Sequence, residues 1–104
     1  MIFGRKKLDV EVESALKILE KERDILTKQF DEALQLIIKK GRTIKDKGQL
    51  ISRLEKIAKG SERKITSWKK LRPEFQPHPA TIGYESEVQR KIRSTISFLK
   101  GEFV

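Results

Sequence analysis

The stretch that decides the fold is VEVESALKILEKERDILTKQFDEALQLIIKK, residues 10–40. Its apolar residues include Val12, Leu16, Leu19, Leu26, Phe30, Ala33 and Ile37, in steps that alternate four and three, with Arg23 filling the one missing place. That alternation is a heptad seam, the stripe a helix presents to another helix. Asp9 stands where an N-cap belongs, and Glu11 and Glu13 occupy the first turn, where the helix dipole favours acids. Lys39 and Lys40 followed by Gly41 form the matching stop. The spacing predicts one helix of about 30 residues, about 45 Å long. A helix of that length needs a partner along its side, because isolated helices are marginal in water.

The nearest partner is the next segment. Asp46 and Gln49 resemble a capping box, and Leu50, Leu54, Ile57, Ile65, Trp68 and Leu71 then keep a helical stripe as far as Arg72-Pro73. Gly60-Ser61 interrupts the stripe, either as a break between two helices or as a tolerated glycine costing about 1 kcal/mol. Pro73 ends helix in any case, since it lacks an N–H and restricts Arg72. The short link at 41–46 makes an antiparallel hairpin the economical arrangement. Residues 73–83, PEFQPHPATIG, hold all three prolines and read as an extended connector. Beyond it Val88, Ile92, Ile96, Leu99 and Phe103 line a third helix that ends near Gly101 and either lies back on the hairpin or docks on a partner. The expected fold is all-α. A hairpin over 1–72 is followed by the connector at 73–83, then by a C-terminal helix and apolar tail at 84–104, as one domain.

Composition narrows the chemistry. Of 104 residues, 37% are hydrophobic and 38% charged, enough for one modest core. The chain has no Cys and one His, His78, which excludes disulfides, thiolate sites and histidine metal clusters. The opening residues lack an apolar signal region and no run is long enough to span a membrane, so a cytoplasmic protein is expected. The acids of the first helix, Glu20, Glu22, Asp24, Asp31 and Glu32, are spread around its polar faces, and no phosphate loop or nucleophile–base pair is evident. An enzyme is not expected, and no cofactor is implied.

The charge is uneven. Residues 1–40 carry nine bases and eight acids, residues 41–72 eleven bases and three acids, and residues 73–104 four of each, so almost all of the net +9 lies in the middle block. On the helix after Asp46 the face opposite the seam carries Arg53, Lys56, Lys59, Arg63, Ser67 and Lys70, a basic stripe about 25 Å long. Cations on successive turns can follow a phosphate backbone, releasing counterions as they do so. With Arg42 and Lys45 they form the expected nucleic-acid-binding set, and the alternative is a solvated face. Trp68 shares the seam with Ile57 and Ile65, which places it in a core or an interface. Phe75, Phe98 and Phe103 are further candidate contacts, the ending FLKGEFV being apolar for an exposed tail. Arg23 in the seam either snorkels to solvent, pairs with Glu20, Glu55 or Glu62, or marks where another chain inserts.

The stretches FGRKK at Phe3–Lys7, LEKERDILTKQ at Leu19–Gln29 and IIKKG at Ile37–Gly41 resemble the N-terminal helical hairpin of ESCRT-III proteins. The resemblance covers residues 2–41. It implies a filament-forming scaffold whose N-terminal segment touches membrane, with Ile2, Phe3, Arg5, Lys6 and Lys7 in that role. Two functions are therefore expected. One is a small basic helical protein that binds DNA or RNA, or serves in a nucleoprotein complex, through phosphate contacts. The other is a coiled-coil interaction module that self-associates, scaffolds a protein partner, or meets an anionic membrane.

Overall fold

The computed structural model describes residues 8–22 and 27–101. They form four α-helices, α1 (Val10–Glu22), α2 (Lys28–Lys40), α3 (Lys47–Lys69) and α4 (Pro79–Lys100), with 3-10 turns at Gly41–Thr43 and Pro73–Phe75. No strand occurs among the described residues. The all-α fold with a helical hairpin and a C-terminal helix stands as expected.

The stretch 10–40 is not one helix. α1 ends at Glu22 and α2 begins at Lys28, where the Thr27 hydroxyl caps the new helix by accepting the Phe30 N–H at 3.1 Å. The two lie antiparallel, for Lys40 at the end of α2 pairs with Asp9 and Glu11 at the start of α1, at 3.2 and 3.3 Å. A single 45 Å helix would point its whole stripe in one direction. Folding back instead lets Val12, Leu16 and Leu19 meet Phe30, Ala33 and Ile37, all of them buried. The Asp9 carboxyl, which accepts the Glu11 N–H at 2.8 Å, is held below the usual range first by that backbone bond and then by Lys40. Lys40 is held above its ordinary value chiefly by its hydrogen bond to Asp9.

α3 and α4 form the second hairpin. Gly60-Ser61 does not break α3, which runs through it as one helix. Ser61 is fully buried, and its hydroxyl donates to the Glu85 carbonyl of α4 at 3.2 Å, so a small residue stands where the helices touch. The C-terminal helix therefore packs within the chain, against α3, and the principal partner of α2 is α1 rather than the helix that follows it. Asp46 stands at the N-cap of α3, but its carboxylate makes no capping bond. The Pro-rich segment is shorter as a connector than 73–83: α4 begins at Pro79, a residue suited to the first helical position because its missing N–H is not needed there. His78 caps α4 by accepting the Ala80 N–H on its ring nitrogen Nδ1 at 3.0 Å.

The two hairpins stack into one core that includes Leu16, Phe30, Ile37, Leu54, Ile92 and Leu99. Two glycines serve this packing for different reasons. Gly41 has ordinary helical dihedrals, but a Cβ there would come within 2.4 Å of the Leu99 side chain and 3.3 Å of Leu50. Gly101 ends α4 in the left-handed region, φ 77°, which glycine adopts without a Cβ clash.

The hairpins differ in length. α1 and α2 have 13 residues each and α3 and α4 have 23 and 22, or about 20 Å against about 34 Å. The continuous core ends near Ala58 and Val88, leaving the closed end of the α3–α4 hairpin as an overhang. The radius of gyration, 15.1 Å, accordingly exceeds the roughly 13 Å of a compact chain of this size.

Candidate functional site

The overhang gathers the chain's exposed chemistry. Between Lys59 and Arg72 six bases meet one acid, Glu62. Helical spacing puts Lys56, Lys59, Arg63 and Lys70 on one side of α3, and all four are exposed. Lys59, Arg63 and Lys70 line a shallow open groove of about 550 Å³ with Glu62, Thr66 and Ser67. Both acids of α3 are engaged by α4: Glu62, in the wall of that groove, pairs with Arg93 at 3.0 Å, and Glu55 pairs with Lys100 at 3.4 Å. Among the described residues the four stripe cations take part in no ion pair.

Arg53 does not belong to this stripe. It faces α1, where one guanidinium nitrogen meets both oxygens of Glu13 at 2.8 and 2.7 Å, and Nε and the other nitrogen meet Glu20 at 3.2 and 3.0 Å. Partial burial acts to lower its pKa, but the bonds to Glu13 and Glu20 outweigh that and raise it. Its side chain is only 22% exposed. Arg53 is a clamp between the two hairpins. Helical periodicity places Arg53 on the outer face with the other stripe cations; the position of α1 overturns that by bringing Glu13 and Glu20 to its guanidinium.

The remaining candidates scatter. Lys45 is exposed just ahead of α3, and the Arg42 guanidinium lies 5.1 Å from the centre of the Phe98 ring. Phe98 packs against the core, so the docking role expected of it is taken up inside the chain. Trp68 is half-buried near the end of α3, outside the main core, with the Lys64 ammonium 5.8 Å from its ring centre. Phe75 is 66% exposed, and Leu71 at 42% and Tyr84 at 52% are the other exposed large hydrophobics of the overhang. The seam position Arg23, the tail residue Phe103 and the membrane set Ile2, Phe3, Arg5, Lys6 and Lys7 lie outside the described residues.

A second concave surface lies on the outer side of the α1–α2 hairpin. It has about 420 Å³ and is lined by Val10, Ala15, Ile18, Ala33 and Leu36 with Glu11 and Glu32 at its margin. Sequence periodicity missed it because residues 10–40 read as one continuous helix have no inter-helix groove. Among the described residues no group of His, Cys, Asp and Glu side chains could hold a metal ion, and no helix is long and apolar enough to cross a membrane. No family model, curated protein or solved structure matches the chain.

Proposed function

We propose that this protein binds nucleic acid through phosphate contacts from the exposed side of α3. The observation that carries this reading is the division of charge on that helix. Its acids Glu55 and Glu62 are drawn to α4, while Lys56, Lys59, Arg63 and Lys70 stand in solvent along about four turns, Ser67 taking the turn between the last two. A lysine or arginine in water gains little from a protein carboxylate, but a row of them releases several counterions at once from a polyanion. Such contacts position a strand and read little sequence.

The alternative, a scaffold built through the heptad seam, has less surface to work with. Leu16, Leu19, Phe30 and Ile37 are already enclosed in the chain's own core, so a coiled-coil partner would have to displace α3 and α4.

The test is a salt titration of binding to a short duplex and to a single strand, with the wild type beside a variant carrying K56Q, K59Q, R63Q and K70Q. Arg53 is left intact because changing it would loosen the fold. The plot of log affinity against log salt should lose a slope of about 3–4 on the duplex and somewhat less on a single strand. An unchanged slope would remove the stripe from the interface.

A further inference from the structure

The exposed aromatic at the end of the stripe is held in place rather than merely left out. The Phe75 N–H donates to the Arg72 carbonyl at 2.8 Å, the Gln76 N–H to the Pro73 carbonyl at 3.3 Å, and the Gln76 side-chain amide to the Leu71 carbonyl at 2.9 Å. Pro73, Pro77 and Pro79 restrict the backbone on both sides, and the His78 cap fixes the entry into α4. These bonds fix the backbone from which the Phe75 ring projects. It is an apolar ring presented to water on a hydrogen-bonded turn, five residues beyond Lys70, the last cation of the stripe.

Self-association through this tip is disfavoured. Two copies apposed there would each bring six bases and one acid from residues 59–72, and like charges across an interface are repulsive. The occupant has to be anionic and has to offer a flat apolar surface. A membrane meets both conditions at the tip alone and leaves Lys59 and Lys56, about three and four turns back from Lys70 along α3, without a role. A nucleic acid strand running along the helix uses both the row and the ring. A fully paired duplex uses only the row, because its bases are already stacked.

We propose that the ligand of the α3 face is a single-stranded nucleic acid, with phosphates along Lys56, Lys59, Arg63 and Lys70 and an unpaired base stacked on Phe75. This rests on the nucleic-acid reading above and adds the class of strand. Ring stacking and cation contacts together are the general means of gripping single strands with little sequence preference.

The experiment compares binding of the full chain to a pyrimidine-rich DNA single strand, the same sequence as a duplex, and anionic phospholipid vesicles. It uses the wild type, F75A, F75L and F75Y. Phe75 lies outside the core, so none of these changes should unfold the protein, and circular dichroism checks that each variant keeps its helicity. The expected result is single-strand affinity above duplex affinity, lost by about tenfold in F75A and F75L and kept in F75Y. F75L is decisive, since leucine keeps the apolar contact and removes the π face. Equal single-strand and duplex binding that does not respond to F75A would overturn the single-strand assignment while leaving the phosphate row intact. Vesicle binding that exceeds both and survives F75L would overturn it in favour of a membrane surface. Absence of binding to either nucleic acid at low salt would overturn this assignment together with the proposed function.

Discussion

The α1–α2 hairpin and the α3–α4 hairpin use the same antiparallel pairing to different ends. The first is short, almost neutral over residues 1–40, and buried along its whole inner side by the second. The second is about 14 Å longer by helical rise, and the excess has no layer beneath it. In that excess Ser61 and Glu85 sit between the helices, Ile65 lies outside the main core, and the bases and exposed aromatics collect. One hairpin thus completes the core, while the other both shares the core and carries a surface away from it. Length mismatch between stacked hairpins is enough to produce a solvent-surrounded tip without any added domain.

The comparison can be broken first at the core. Phe30→Ala and Ile92→Ala, one in each hairpin and both fully buried, should each cost about 3–5 kcal/mol in urea unfolding. Ile65→Ala, in the overhang, should cost no more than about 2 kcal/mol. Equal losses at all three would mean that the overhang is as tightly integrated as the core. A smaller effect is expected at Gly41, where Gly41→Ala should destabilise by about 1–3 kcal/mol through its clash with Leu99. Combined with Leu99→Val the loss should fall short of the sum of the two single losses.

Two arginines about 15 Å apart by rise along α3 extend the contrast. Arg53→Gln removes the clamp and leaves Glu13 and Glu20 without their shared cation, for about 1–2 kcal/mol after allowing for its partial exposure. Arg63→Gln, on the free side, should stay within about 0.5 kcal/mol. The smallest effect concerns the end of the first hairpin. Asp9→Asn keeps a capping oxygen and removes the charge that Lys40 meets, so amide protection of the first turn of α1 should fall while global stability hardly changes. The pH dependence has a definite sign. The Asp9 carboxyl titrates lower in the folded state, so its contribution is present above about pH 4 and is lost as pH falls through the folded value. Lys40 titrates higher in the folded state, so its contribution is present below about pH 10 and is lost as pH rises through the folded value. Protection should be flat between those limits and decline on both sides in the wild type, and the Asp9→Asn variant should lack the acid limb.

Much of this was legible residue by residue. Val12, Leu16, Leu19, Phe30 and Ile37 are core positions because their spacing puts them on one stripe, whichever way the helix is later cut. The stripe cations Lys56, Lys59, Arg63 and Lys70 were legible for the same reason, being opposite Leu54, Ile57 and Ile65 on α3. The division into α1 and α2 was not, because two helices whose seams keep one register have the same periodicity as an unbroken helix. Thr27 is a good N-cap residue, but it stands inside an apolar series and without the acid three places on that would complete a capping box. Gly41 was read as a helix stop, and its packing role depends on Leu99, fifty-eight residues away in the chain.

By itself, then, the sequence determined the helical class, the stripes that become core, the ends marked by Pro and Gly, and the concentration of positive charge between residues 41 and 72. Those properties are local: they follow from side-chain type and a 3.6-residue period. The tertiary structure alone decided that residues 10–40 fold back on themselves, that α4 rather than the first helix is the partner of α3, that Arg53 is spent on Glu13 and Glu20 while Arg63 is left free, and that Phe75 stands on a braced turn at an uncovered tip. Each of those depends on which stripe meets which, a question that amphipathic helices of similar pattern leave open until their lengths, small residues and charges are matched in space.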